Sequence, residues 1–292
     1  MLRNWHTAGM SQEAANAAQA AYWTEVRGAQ WVRDQRIFDT MLAPFGNEAL
    51  RILDAQLGEH VLDIGCGTGT TTVQIAQAVG PTGRVTGCDI ASTMIDAARR
   101  SALALPQVSF EVLDVQTGRL GDALYDAAFS RFGVMFFDDP VAAFQNVANF
   151  VRSRGRLVFV CWQHEDDNDW ISLPAAVMRQ FTPEPVLPTA DAPGPFAFRD
   201  PNRVRRILKD AGWIDIEVTP FAAPARLGAG LGLDEALTQT MGLHPAHVLR
   251  RQVDDETFTK ATAAVRGLLA EHMANDEVVF RANAWIAQAR NP

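Results

Sequence analysis

The sequence predicts an α/β protein built on a doubly wound, largely parallel sheet, and three observations predict it. Short apolar segments alternate with amphipathic ones from about residue 59, a glycine-rich run follows the first apolar segment, and three successive apolar segments carry an acid at or near their ends. Such alternation builds right-handed βαβ units with helices on both faces of a sheet. The 292 residues allow one large domain or a core with a small cap, and 48% hydrophobic against 21% charged residues supplies the core without the signature of disorder.

Taken in order, apolar residues at three- and four-residue spacing predict helices over Ser11–Arg27 and Gln30–Leu57. Strand His60–Ile64 precedes helix Thr70–Val79, and strand Arg84–Ile90 precedes helix Ser92–Leu103, with Ser92 placed to cap it. Strand Val108–Leu113 leads by a loop to strand Tyr125–Ser130, then helix Val141–Val151 and strand Arg156–Trp162, with 153–156 as the turn between them. A helix from Trp170, a covering loop over 183–195 that holds five of the 15 prolines, helix Pro201–Ala211 and strand Ile214–Thr219 follow. A largely helical insertion over 234–272 and a closing strand Val278–Ala287 complete the chain. The expected organisation is N-terminal helices over 1–57, an α/β core over 58–165, and a C-terminal part over 166–292 that completes the sheet, with helical cap insertions at about 166–200 and 221–277.

The run Asp63-Ile64-Gly65-Cys66-Gly67-Thr68-Gly69 places three glycines at alternate positions between a strand and a helix. Glycine lets the backbone turn tightly and approach a ligand where a Cβ would collide, and the helix N-terminus behind it offers free N–H groups. The dinucleotide fingerprint needs a glycine or alanine after Gly69, where this chain has Thr70, and a pyrophosphate would be repelled by Asp63. An acid there suits a ligand that carries an amine. Asp89 at the second strand end can accept from both hydroxyls of a ribose, and Asp114 at the third can accept from an adenine amino group. Each acid alone is equally a helix cap or a turn residue; together they surround one pocket at the carboxyl edge of the sheet.

The motif Asp63–Gly69 with Asp89 and Asp114 resembles class I S-adenosylmethionine-dependent methyltransferases over roughly residues 59–163, within the small-molecule branch that contains the ubiquinone and menaquinone biosynthesis enzymes. The resemblance implies a seven-stranded Rossmann-like sheet with a reversed last strand. It implies S-adenosyl-L-methionine as cofactor and S-adenosyl-L-homocysteine as product. Asp63, Gly65, Gly67 and Gly69, with Cys66 between them, would surround the amino-acid part, Asp89 the ribose, and Asp114 with Val115 the adenine. Ile90, Met94, Ser130 and Arg131 complete the expected cofactor set.

The fourth strand end, 129–137, lies where the methyl group would project, and it lacks the D/N-P-P-Y/F run of amino-directed nucleic-acid methyltransferases. Its Phe132 and Met135, with Trp162, would line an apolar acceptor pocket; Phe136 and Phe137 are equally core residues. Arg131, a charge between apolar residues, is the expected substrate contact. Methyl transfer from a sulfonium is an in-line displacement and needs no nucleophilic residue, but a phenol or carbon acid must lose a proton, and His164 is the best-placed base. Tyr22, Trp23 and Trp31, with Trp5, would form a lid or pack on the sheet.

The formal net charge of −8 argues against a nucleic-acid partner, and the basic cluster 199–209 is interrupted by acids. Cys66, Cys88 and Cys161 fall in or beside core strands with no metal-ligand spacing, so buried thiols are expected, and no metal. No window is apolar for the roughly 20 residues of a membrane span, and the first residues lack a secretory signal. The expectation is a soluble, cytoplasmic monomer or homodimer that methylates a small aromatic or apolar metabolite. Two rivals stand: a catalytically silent S-adenosylmethionine-binding sensor or scaffold, and a nicotinamide-dependent oxidoreductase.

Overall fold

The computed structural model describes residues 19–121, 124–182 and 192–292. Trp5, the first part of the Ser11–Arg27 helix and most of the proline-rich loop lie outside the described residues.

The described residues open in helical backbone that passes into a π-helical turn at Tyr22–Arg27, followed by a short α1 at Gly28–Arg33 and the long α2 at Gln35–Leu53. Two corrections arise here. The helix predicted from Gln30 is broken at Asp34, whose φ of −98° and ψ of 16° are not helical, and it stops at Leu53, with Asp54 left-handed at φ 49°. Then come β1 (His60–Ile64), α3 (Thr70–Val79), β2 (Arg84–Asp89), α4 (Ser92–Ser101), β3 (Val108–Val112) and β4 (Tyr125–Arg131). Ser92 is the first residue of α4 and not its cap; Ala91 holds that position, and its N–H is taken by the Asp89 carboxylate at 2.9 Å. Helix α5 (Pro140–Phe150) has the proline where its missing N–H costs nothing, and Asp139 caps it by accepting from the Ala142 N–H at 3.0 Å.

Strand β5 runs from Val151 to Trp162, and the residues predicted as a turn form an irregular start within it: Arg154 has φ 61°, and the pairing with β4 shifts register there. Helices α6 (Asp169–Arg179) and α7 (Pro201–Asp210) precede β6, which runs from Ile214 to Leu227. The predicted cap insertion from 221 is therefore corrected: residues 221–227 belong to the sheet. Its helices are α8 (Leu233–Met241), α9 (His244–Gln252) and α10 (Asp255–Glu271), before the short β7 (Met273–Ala274) and the closing β8 (Glu277–Arg290).

Strand order is β3-β2-β1-β4-β5-β8-β6, with β7 paired to β8 alone. The first five strands are parallel, and β8 is antiparallel to both β5 and β6, which is the reversed last strand. Growth in one direction from β1 to β3 and in the other from β4 to β5 requires right-handed crossovers on opposite faces, so α3 and α4 cover one side and α5 the other. The order reverses between β1 and β4, and in open α/β sheets ligands bind outside the strand ends at this point.

Candidate active site

The Gly-rich loop leaves β1 at that reversal. Gly65, Gly67 and Gly69 have φ of 64°, 57° and 86°, a region that side chains other than glycine rarely enter. A Cβ on Gly65 would lie 2.8 Å from the Cα of Gly133, so these two glycines let the loop press against the end of β4. A Cβ on Gly67 would lie 3.7 Å from Met94 Sδ and 3.9 Å from Trp31 Nε1. Met94 and Trp31 thus lie against the loop at Gly67.

Asp63 lies beneath it, fully buried. Its Oδ2 accepts from the hydroxyls of Thr71 and Thr72 at 2.8 and 2.7 Å, whereas Oδ1 is buried without a partner among the described residues. Burial raises the Asp63 carboxyl from 3.8 to about 6, against the pull of the two hydroxyls and of the Arg131 charge. An unpartnered buried acceptor beside a glycine cradle is what an ammonium group would satisfy.

Asp89 accepts from the N–H of Gly67 at 2.9 Å through Oδ2 and from that of Ala91 through Oδ1, joining the loop to the end of β2. Burial pushes its carboxyl above the usual range, opposed by the backbone N–H groups of Ala91, Gly67 and Ile90. Asp114 accepts from the Gln116 N–H at 2.9 Å and the Thr117 hydroxyl at 3.4 Å, a turn-capping arrangement. A carboxylate offers about four acceptor sites, so neither pairing fills these acids. Val115, Cys66 and Met94 are buried and Ile90 is half-buried. The Cys66 thiol is held well above its ordinary value by burial and by Asp89, so it is no nucleophile. Ser130 is fully buried, and its hydroxyl is spent: it donates to the Ile64 carbonyl at 2.7 Å and accepts from the Gly133 N–H at 3.2 Å. It ties β4 to β1.

The structure gives Arg131 a partner that sequence reasoning missed. Its Nη2 meets Asp39 Oδ1 of α2 at 2.6 Å, with the two side chains 10% and 21% exposed. Asp39 Oδ2 accepts from the Thr70 hydroxyl at 2.7 Å and from Gln35 Nε2 at 3.3 Å. The Arg131 stem packs on Gly46, where a Cβ would lie 2.8 Å from Cδ. No local pattern announces this pair, because 92 residues separate its members.

Aromatic side chains surround the same edge. Phe132 stacks on Trp162 at 4.1 Å, and Phe45 of α2 meets both edge-on. Phe132 has φ 59°, strained for a bulky residue, at the strand end next to the loop. Met135 is buried and its sulfur accepts from the Trp162 N–H at 3.5 Å. Trp31 stacks on Phe38 at 4.1 Å, Trp23 meets Trp31 and Phe136 edge-on, and Tyr22 meets Trp23. His164 Nδ1 accepts from the Asp166 N–H at 3.3 Å, lies 3.5 Å from Asp166 Oδ2 and caps a helical turn at Glu165–Asp167, and none of the hydrogen bonds among the described residues joins it to Asp63, Asp89 or Asp114.

This strand order, reversed strand and acid-flanked glycine loop define the class I methyltransferase fold. Residues 61–155 match the family described as Methyltransferase domain. Over 118 residues the chain is 36% identical to aklanonic acid methyltransferase DauC of Streptomyces sp. strain C5, covering 40% of this chain and 54% of that protein. It is 39% identical over 124 residues to an uncharacterized 37.1 kDa protein in a transposon of Streptomyces fradiae, covering 42% of this chain and 34% of that one. The chain thus spans about a third to a half of the length of the curated relatives it first matches. A putative methyltransferase of Bacillus halodurans shares the fold, with 16% identity, a TM-score of 0.55, and coverage of 85% of this chain and 98% of that one.

Proposed function

We propose that this chain transfers a methyl group from S-adenosylmethionine to a small metabolite with an aromatic or apolar body. The observation that carries the reading is the buried Asp63 with its unpartnered Oδ1 beneath a glycine loop that Asp89 holds in place. The residues fit the cofactor: Asp63 for its ammonium, Asp89 for its ribose, Asp114 and Val115 for its adenine, and Met94 and Trp31 beside the loop. Bound there, the cofactor supplies an electrophilic methyl on a sulfonium. The chain's part is to orient the donor, exclude water and align the acceptor along the breaking bond. The relatives' names support small-molecule methylation, and the aromatic residues at the ends of β4 and β5 suit an apolar acceptor.

The capped position of His164 favours a second reading, a catalytically silent S-adenosylmethionine-binding protein, since the weaker alternatives for a base, His6, His244 and His247, have no motif around them. Calorimetric titration and a turnover assay separate the possibilities. Micromolar binding of S-adenosylhomocysteine with none of NAD(H), lost by roughly 1.5 to 3 kcal/mol in Asp89→Ala, is the expected result. Binding of NAD(H) alone would sink the reading. Cofactor binding with no S-adenosylhomocysteine formed from labelled donor over a metabolite screen would leave the silent protein.

A further inference from the structure

Arg131, the last residue of β4, pairs among the described residues with one carboxylate, that of Asp39. In the register between β1 and β4, Asp63 stands opposite Phe129, so Arg131 follows two residues beyond the partner of the buried acid. Asp39, from α2, reaches across to Arg131 and at the same time takes the hydroxyl of Thr70, the first residue of α3. Its carboxylate therefore lies between a guanidinium and the N-terminal residue of the helix behind the glycine loop, two features that favour an anion. Asp63, close enough to Arg131 to feel its charge, has Oδ1 buried and unpartnered among the described residues. A receptor for a cation and a receptor for an anion, side by side, match a group that carries an ammonium and a carboxylate on one carbon.

We infer that Arg131 binds the α-carboxylate of the cofactor's amino-acid end while Asp63 takes its ammonium, and that Asp39 stands in for that carboxylate until the ligand displaces it. The inference rests on the cofactor reading above and extends it. Of the two roles expected for Arg131, the cofactor contact is thereby kept and the acceptor contact given up. Displacement of Asp39 also loosens the tie between α2 and the end of β4, so occupancy of the amino-acid end is sensed by the N-terminal helices. The ligand's carboxylate must break the Asp39 pair to reach the guanidinium, so the preference it gains is what remains after that pair is lost.

The test is calorimetric titration of the full chain with S-adenosylhomocysteine and with its decarboxylated analogue, which keeps the amine, the thioether and the nucleoside. The wild-type chain should bind the carboxylated ligand about tenfold tighter or more, as expected for a hydrogen bond between charged groups. Arg131→Met should abolish that preference, Arg131→Lys should retain part of it, and Asp39→Asn should tighten S-adenosylhomocysteine a few-fold while leaving the analogue unchanged. Equal wild-type affinities for the two ligands would overturn the inference without recourse to a variant. So would an Asp39→Asn chain that binds both ligands more weakly by the same factor, which would make Asp39 a strut. If neither ligand binds, the cofactor reading falls and this inference with it; if both bind equally, only the carboxylate assignment falls.

Discussion

At the scale of single residues, the carboxyl of Asp63 is set at about 6 by burial, with the hydroxyls of Thr72 and Thr71 and the Arg131 charge pulling the other way. A carboxyl raised above its unfolded value holds its proton more tightly in the folded chain. Its contribution to stability is complete below about pH 4 and declines as pH rises through about 6, by up to about 3 kcal/mol. Asp63→Asn removes this titration, so its stability relative to wild type should improve between about pH 4.5 and about pH 7. Thermal unfolding of both chains at the two pH values checks this, and parallel shifts would show that Asp63 does not titrate there. The same residue shows how far a sequence can be read. Its position before the glycines marked it as a ligand acid, but its pairing with Thr71 and Thr72 and its orphaned Oδ1 follow from a helix folding back over the strand. Asp89 and Asp114 were legible as strand-end acids, while their local work as acceptors for Ala91, Gly67 and Gln116 needed backbone geometry.

At the scale of elements, the N-terminal helices divide into two parts with different roles. Phe45, Ala49 and Leu53 of α2 are fully buried, and α2 packs on β4, β5 and β6, so it is a layer of the core. Residues 22–33 lie instead across the glycine loop and its surroundings. Gly28 presses on Thr93 of α4, Arg27 reaches the Gly242 carbonyl at 3.1 Å, and Trp31 borders Gly67. The non-helical Asp34 separates the two parts. Phe45→Ala should cost about 3 to 5 kcal/mol by denaturant unfolding, whereas Trp31→Ala, half-buried, should cost less and change cofactor affinity instead. Comparable losses of stability from both would place Trp31 in the core rather than over the loop. Apolar spacing showed that these segments are helical, but it does not distinguish a helix docked for good from one that spans a site, because both need one apolar face. The strand β6 escaped in its second half for a related reason: residues 220–227 include two prolines and three alanines, weak strand formers that hold here because they pair with β8.

At the scale of the whole molecule, the larger of two hydrophobic clusters among the described residues runs from Met41 in α2, through the sheet, to Leu249 and Leu269 in the cap and Ala289 in β8, and the smaller one joins Cys66 to Ile95 and Ala98 of α4, to Ala102 just after it and to Phe110 of β3. The expected division at 57 and 165 therefore marks stretches of sequence that share a core. Scanning calorimetry should give a single transition with matching calorimetric and van't Hoff enthalpies, and two resolved transitions would show separately folding parts. The sequence by itself determined the alternating elements, the glycine loop and the acids at or near three strand ends, because each is written in residues close together along the chain. Tertiary structure alone decided that Arg131 faces Asp39, that Gly65 meets Gly133 and that His164 caps a turn. The first two join residues far apart in sequence, and for His164 nothing in the residue type separates a base from a cap; only the folded chain puts their atoms in reach.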